Sequence, residues 1–251
     1  MLNLVGIGLN NEDLTLQAIS VLKNSIVYAD RYTTFFDEER RRFISSIINK
    51  QIIDLNREDL EEKLPLIIER ARDANISIMV GGDPLIATTH KIIFIEAKKR
   101  RVPIKVYHAT SILSAIIGES GLDFYRFGQI CTISKWQSNY MPVSFYEVIE
   151  NNYKNNLHSL VLLDYDPTKN SSLSLKDAIA ILEEAEKKYK KGIIKDDTLL
   201  FVMHKIALSD QQKLLVNIKD SKKLNFSNGP TALLIPAKLS DVEKEVIASM
   251  Y

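Results

Sequence analysis

Residues 76–80 form an apolar run that stops at Gly81-Gly82-Asp83-Pro84, and apolar residues return at helical spacing through Ile92, Ile93 and Ala97. Such a run reads as a buried strand. The two glycines after it open backbone angles barred to other residues and let the main chain approach a bound molecule. Asp83-Pro84 then sets a turn, because proline fixes its own φ and holds the preceding residue extended. The order is strand, glycine-rich turn, helix. The chain opens in the same way: residues 2–7 are apolar, Gly6-Ile7-Gly8 interrupts them, and Leu14, Ala18, Ile19 and Leu22 follow at helical spacing. Gly6-x-Gly8 runs on into Leu9-Asn10-Asn11 and lacks the third glycine of a dinucleotide fingerprint, so it gives little support to NAD or FAD.

Strands are expected at 25–29, 52–55 and 102–107. A charged helix is expected over 37–50, and a helical stretch over 58–72 that Pro65 divides or kinks. Arg40-Arg41-Arg42 in the charged helix reads as a solvated face with local ion pairs rather than an anion site. Strands alternating with helices predict a parallel sheet covered on both faces, with ligands beyond the carboxyl ends of its strands, where Gly8, Gly81-Gly82 and His108-Ala109 fall. Ser111-Ile112 opens a helix reaching about Gly118, with Ser111 placed as its cap. Further on the character changes: strands at 129–133, 159–163, 198–203, 214–217 and 232–235, helices at 145–153, 174–191 (ended by Gly192) and 240–249, and a loop over 169–172. The expected fold is α/β with two α/β domains. Residues 1–110 carry a mostly parallel sheet with flanking helices, and residues 111–251 a mixed sheet.

With 33 basic and 32 acidic residues the net charge is +1, so bulk charge selects no nucleic acid. No apolar stretch approaches the ~20 residues of a membrane span, and no targeting segment is recognised. Cys131 stands alone, which fits a reducing cytoplasm, and His90, His108, His158 and His204 are scattered, so no metal is expected. Each histidine reads first as a packing or hydrogen-bonding group. No nucleophile elbow, P-loop or triad is evident.

Gly82-Asp83-Pro84-Leu85 with Ala87-Thr88-Thr89-His90 resembles the signature of the tetrapyrrole methylase family of S-adenosylmethionine (SAM) dependent methyltransferases, and its Ala-Thr-Thr-His continuation resembles the diphthine branch. His108-Ala109-Thr110-Ser111-Ile112, and Gly121-Leu122 with Tyr125-Arg126-Phe127-Gly128, agree, and the likeness runs from Val5 to Leu239. The resemblance implies SAM contacts at Leu9, Asp83, Ile86, Ser111, Ile112 and Leu163, in a cleft between the domains, with S-adenosylhomocysteine (SAH) as product. Ile206 and Thr231 are aligned less closely. His204-Lys205-Ile206-Ala207 stands where relatives read Ala-Arg-Ala-Gly, and Thr231 where histidine commonly follows proline. Asp83 fits cofactor binding and loop-holding alike, and Ser111 fits ligand binding and helix capping alike. Tyr32-Thr33-Thr34 and Tyr125-Arg126-Phe127 are candidate substrate-side or core elements. The implied reaction is successive methylation, to a trimethylammonium, of the amino group of a 3-amino-3-carboxypropyl histidine on translation elongation factor 2, by a cytoplasmic homodimer. Competing readings are a tetrapyrrole C-methyltransferase, which would want cationic groups for many carboxylates, and a non-catalytic nucleotide-binding regulator.

Overall fold

Strands β1 (Leu2–Gly6), β2 (Ile26–Asp30), β3 (Ile52–Leu55), β4 (Ile76–Val80) and β5 (Ile104–Tyr107) pair in parallel, in the order β3-β2-β4-β1-β5. The computed structural model describes every residue except 167, 168 and 170. Helices α1 (Leu16–Lys23), α2 (Glu38–Ile48), α3 (Arg57–Glu61), α4 (Leu64–Arg70) and α5 (Lys91–Lys99) alternate with these strands. The period of two along each strand sorts the side chains. Leu2, Leu4, Tyr28, Ile76 and Ile78 meet Ile67, Ile68, Ile93 and Ala97 of α4 and α5. Val5, Val27, Ala29 and Met79 meet Ala18, Leu22, Ile44 and Ile48 of α1 and α2 on the other face. Pro65 divides the 58–72 stretch as expected: it sits in the first turn of α4, where a missing N–H leaves no bond unmade.

The chain divides into two compact units, Met1–Ser114 and Ala115–Tyr251, the division falling within α6 (Ile112–Ser120). The second unit holds β6 (Cys131–Ile133), α7 (Ser144–Lys154), β7 (Ser159–Leu163), β8 (Tyr165–Asp166), β9 (Ser171–Ser172), α8 (Leu175–Tyr189), β10 (Leu199–His204), β11 (Gln212–Asn217), α9 (Ile218–Ser221), β12 (Thr231–Ile235) and α10 (Asp241–Met250). Its main sheet runs β11-β10-β12-β7-β6, antiparallel except for the parallel β6–β7 pair, so it is mixed as expected. One core joins Val161, Leu163, Leu200, Val202 and Leu233 to Phe145, Tyr146 and Ile149 of α7 and Ile179, Leu182 and Ala185 of α8.

Two local expectations are corrected. Ser171 and Ser172 are not loop but pair antiparallel with Asp166 and Tyr165; of the rest of the expected 169–172 loop, Lys169 lies in a turn and 170 is outside the described residues. Helix α8 ends before Gly192, at Lys190, which takes a left-handed φ of 54° and donates its N–H to the Glu186 carbonyl. The Glu186 carboxylate then collects the N–H groups of Gly192, Ile193 and Ile194 at 2.6, 3.0 and 2.9 Å. These bonds satisfy the chain leaving the helix without a glycine at its end.

The second unit is fastened by one buried carboxylate. Glu243, 3% exposed, accepts from Asp123 N at 3.1 Å, His158 Nε2 at 2.8 Å, Ser240 N at 2.8 Å, and the Arg126 guanidinium. His158 Nδ1 accepts from Ala237 N at 3.1 Å, which leaves the ring proton on Nε2. Burial pushes the Glu243 carboxyl up, and the Ser240 and Asp123 N–H groups with His158 outweigh it, bringing it down to about 2. A carboxyl lowered on folding stabilises the fold fully above the ordinary carboxylate range, and that stabilisation is lost as pH falls towards the lowered value. Glu243→Gln should therefore cost roughly 3–5 kcal/mol at neutral pH, as for a broken buried ion pair. In denaturant unfolding across a pH series, the gap to wild type should close as pH approaches about 2; a gap that stays constant would contradict this account.

Candidate functional site

The loops after β1, β4 and β5 leave the carboxyl ends of three adjacent strands. Gly8 and Gly82 extend the ladder beyond the sheet with a two-bond bridge: Gly8 N donates to Gly82 O at 3.2 Å, and Gly82 N to Gly8 O at 2.8 Å. Both residues take positive φ, 72° and 70°. At Gly6 a Cβ would stand 2.8 Å from Gly82 O, 2.9 Å from Pro84 Cδ and 3.0 Å from Ala109 Cβ, so all three loops meet at that point. The first loop is also gripped from below. Asp13 accepts from Leu9 N at 2.8 Å, and Arg40 donates to the carbonyls of Ile7, Gly8 (3.0 Å) and Asn10 (2.6 Å).

Arg40 overturns the reading of its run as a solvated face: it is 6% exposed, and burial pushes its guanidinium down to about 10. The sequence held a signal for it, because Arg40, Ile44 and Ile48 fall at i, i+4 and i+8 and form the buried stripe of α2. Arg41 fits the expectation, pairing with Asp54 at 3.2 Å.

Asp83 closes the group. Its Oδ1 accepts from Leu85 N at 3.0 Å, while Oδ2 faces His108 Nδ1 at 2.7 Å and Ala109 N at 3.4 Å, tying the second loop to the third. Of the two roles open to it, holding its loop is thus seen directly. His90 ties the same loop to the end of β2: Nδ1 stands 3.0 Å from Pro84 O and Nε2 2.9 Å from Asp30 Oδ2. Asp30 also accepts from Tyr32 N at 2.7 Å, Thr33 N at 3.1 Å and the Thr33 hydroxyl. Burial pushes its carboxyl up, but the bond and charge of His90 and the Thr33 and Tyr32 bonds together hold it below the ordinary carboxylate value. Thr34 Oγ1 accepts from Gly81 N at 3.1 Å, so Tyr32-Thr33-Thr34 acts as a brace for the glycine loop.

In the first unit, Leu9 is half-buried beside Gly82, Asp83 is buried, Ile86 is partly exposed, and Ser111 and Ile112 continue the third loop half-buried. Ser111 Oγ accepts from Ser114 N at a long 3.4 Å, in keeping with a cap. Leu163, Ile206 and Thr231 belong to the second unit, where they gather at one end of its sheet. Leu163 ends β7, Thr231 starts β12, and Ile206 follows β10, whose last residue His204 pairs with Thr231 across the ladder. His204 Nδ1 lies 2.8 Å from Thr231 Oγ1; the ring is buried against Phe226, its Nε2 has no partner, and burial lowers its pKa. Among the described residues no group of three or more His, Cys, Asp or Glu is placed to hold a metal ion, and no helix is long and apolar enough to cross a membrane. The charged groups of these loops are bonded to backbone or to one another, which holds the loops in one shape.

A family model described as Tetrapyrrole (Corrin/Porphyrin) Methylases matches residues 1–221. The diphthine synthase of Methanocaldococcus jannaschii is 34% identical over 251 residues, covering 98% of this chain and 97% of its own. That of Methanothermobacter thermautotrophicus is 34% identical over 256 residues, covering 100% and 95%. A solved diphthine synthase structure superposes with a TM-score of 0.85 at 26% identity, covering 99% of this chain and 95% of its own.

The contacts around the two glycines separate two kinds of cost. Gly82→Ala makes only ordinary van der Waals contacts but keeps a positive φ, and should lose about 1–2 kcal/mol. Gly6→Ala drives a methyl into backbone and should lose at least as much again, at the upper end of the ~1–3 kcal/mol of overpacking. Urea unfolding of both variants checks the order, and the reverse order would count against the described convergence of loops.

Proposed function

From the premise that this chain belongs to the tetrapyrrole methylase family, matched over residues 1–221 and with diphthine synthases as relatives over almost its whole length, we propose that it trimethylates the amino group of 3-amino-3-carboxypropyl histidine on elongation factor 2. The chain is a SAM-dependent methyltransferase of diphthamide biosynthesis. The factor as acceptor, the number of methyl groups and the cytoplasm as the place of action are the proposed part. A homodimer is also proposed, and the exposed Phe124, Tyr125 and Val242 support it by offering apolar surface for self-association.

The single observation that carries the cofactor reading is the clasp of three loops. At Gly82 a Cβ would stand in ordinary contact with Leu9 Cδ2 and Thr110 O, both at 3.8 Å, so the first and third loops close on the second at this glycine. When bound, SAM supplies a methyl group on a sulfonium, a good leaving group that needs no acid. The chain's task is to hold nucleophile, methyl and sulfur in line and to keep water out. We assign the donor's contacts to Leu9, Asp83, Ile86, Ser111 and Ile112 in the first unit, and to Leu163, Ile206 and Thr231 in the second. The fixed positions of the glycine loops and the clustering of the last three at one sheet end support that assignment.

Titration with SAM and SAH tests binding, and methyl transfer to the modified elongation factor, set against a tetrapyrrole precursor, tests the acceptor. Transfer of three methyl groups to the factor and none to the precursor is the expected result; SAM binding with transfer only to the precursor would end the assignment. The attacking amine must be neutral, so the single-turnover rate should fall as pH drops below the amine's pKa. A flat profile across that range would argue against amine attack as the limiting step.

A further inference from the structure

Each methyl transfer to an amine releases one proton, and that proton needs an acceptor. Of the four histidines, three are sealed away: His90, His158 and His204 are 2%, 0% and 1% exposed. His108 differs, with a side chain 67% exposed and its Nδ1 held 2.7 Å from the Oδ2 of Asp83, itself 7% exposed. A carboxylate accepts only, so Nδ1 carries the hydrogen and Nε2 is left with a free lone pair. No described residue is bonded to that Nε2. The pair sits at the end of β5, where Asp83 already fastens the second loop to the third. An exposed imidazole whose inner nitrogen is fixed by a buried carboxylate is the arrangement of a general base: the carboxylate sets tautomer and orientation and favours the imidazolium that forms.

We propose that His108 is the general base of the reaction and Asp83 its positioning residue. This rests on the methyltransferase reading above. The acceptor ammonium gives a proton to His108 Nε2, which frees its lone pair. That pair forms the N–C bond while the C–S bond breaks and its electrons stay on sulfur, leaving a thioether. The imidazolium, balanced by Asp83, then passes its proton to water, to which the ring is open. The methylated ammonium loses its next proton in the same way, until the quaternary product has none left to give. Asp83 is the charged group bonded to the ring, and Lys105, the cation of β5 itself, lies over the Tyr107 ring at 4.9 Å.

His108→Asn tests this, since an Asn amide can replace the Nδ1–H donor to Asp83 but offers nothing at Nε2. The variant should bind SAH within about threefold of wild type while losing roughly 10²–10⁴ in single-turnover rate, the usual contribution of acid–base catalysis. Added imidazole should restore part of that rate. Both rates should fall as pH drops below the amine's pKa, and the fall should be steeper in the variant, which has no base to take the ammonium proton. Independently of turnover, ¹⁵N NMR of the wild-type ring should show the Nδ1–H tautomer, and Asp83→Asn should lose that preference. Normal SAH binding with a wild-type rate in His108→Asn, or a loss that imidazole does not rescue and that leaves the pH profile unchanged, would overturn the proposal. Absence of SAH binding by the wild-type chain would instead overturn the methyltransferase reading beneath it.

Discussion

The two hydrogen bonds between Gly8 and Gly82 are the constraint on which the site depends. They carry the pairing of β1 and β4 past the end of the sheet. A turn leaving a parallel strand ordinarily has unmatched N–H and C=O groups, and here each loop satisfies the other. Both residues take a left-handed φ that costs glycine nothing. Once the loops are joined, the other carbonyls of the first loop face inward and need donors. Arg40 supplies them to Ile7, Gly8 and Asn10. Burying a guanidinium is costly, and its Nε remains without a partner. The alternative is worse, because the Ile7 carbonyl, unlike that of Gly8, which also accepts from Gly82 N, would lose this donor beneath a loop that has to keep one shape.

The same logic explains why the ionised groups lie below the loops rather than among them. Asp30 with Tyr32 N and Thr33 N, Asp13 with Leu9 N, and Asp83 with Leu85 N and Ala109 N each fix backbone. Methyl transfer creates no oxyanion and needs no metal-bound water; its demand is alignment in a dry space. A rigid backbone cradle meets that demand better than a ring of exposed charges, which would hold water. The exception is His108, at the solvent edge, where a proton has to leave.

Local features of this architecture were legible in the sequence. Glycine at the ends of apolar runs, proline after aspartate and the change of period from two to 3.6 each depend on neighbours within a few residues. They marked β1, β4 and their loops, and with the alternation of elements the parallel first sheet and the mixed second one. What escaped were partnerships across the chain. Asp30 and His90 are 60 residues apart, and Asp83 and His108 are 25 apart; each pair meets only because β4 inserts between β2 and β1 and β5 lies on the far side of β1. That strand order leaves no local trace. Arg40 was misread for a different reason. A triple-arginine run resembles solvated surface by composition, while its helical phase places only the first arginine inward.

In the second unit one cross-strand pair fixes the end of the sheet: Thr231 lies directly opposite His204 on the neighbouring strand. Paired residues on adjacent antiparallel strands present side chains to the same face about 5 Å apart, so an imidazole reaches nearly the same space from either one. Here the Thr231 hydroxyl meets His204 Nδ1, and the Thr231 N–H is taken by Ser172 Oγ at 2.7 Å. Neither side chain disturbs the ladder that brings Leu163 and Thr231 to the same end of the sheet. The left-handed φ of Lys205 and Ala207 keeps the turn after β10 tight without a glycine. Lys205 N donates to Pro230 O at 2.9 Å, and that bond ties the turn to the start of β12.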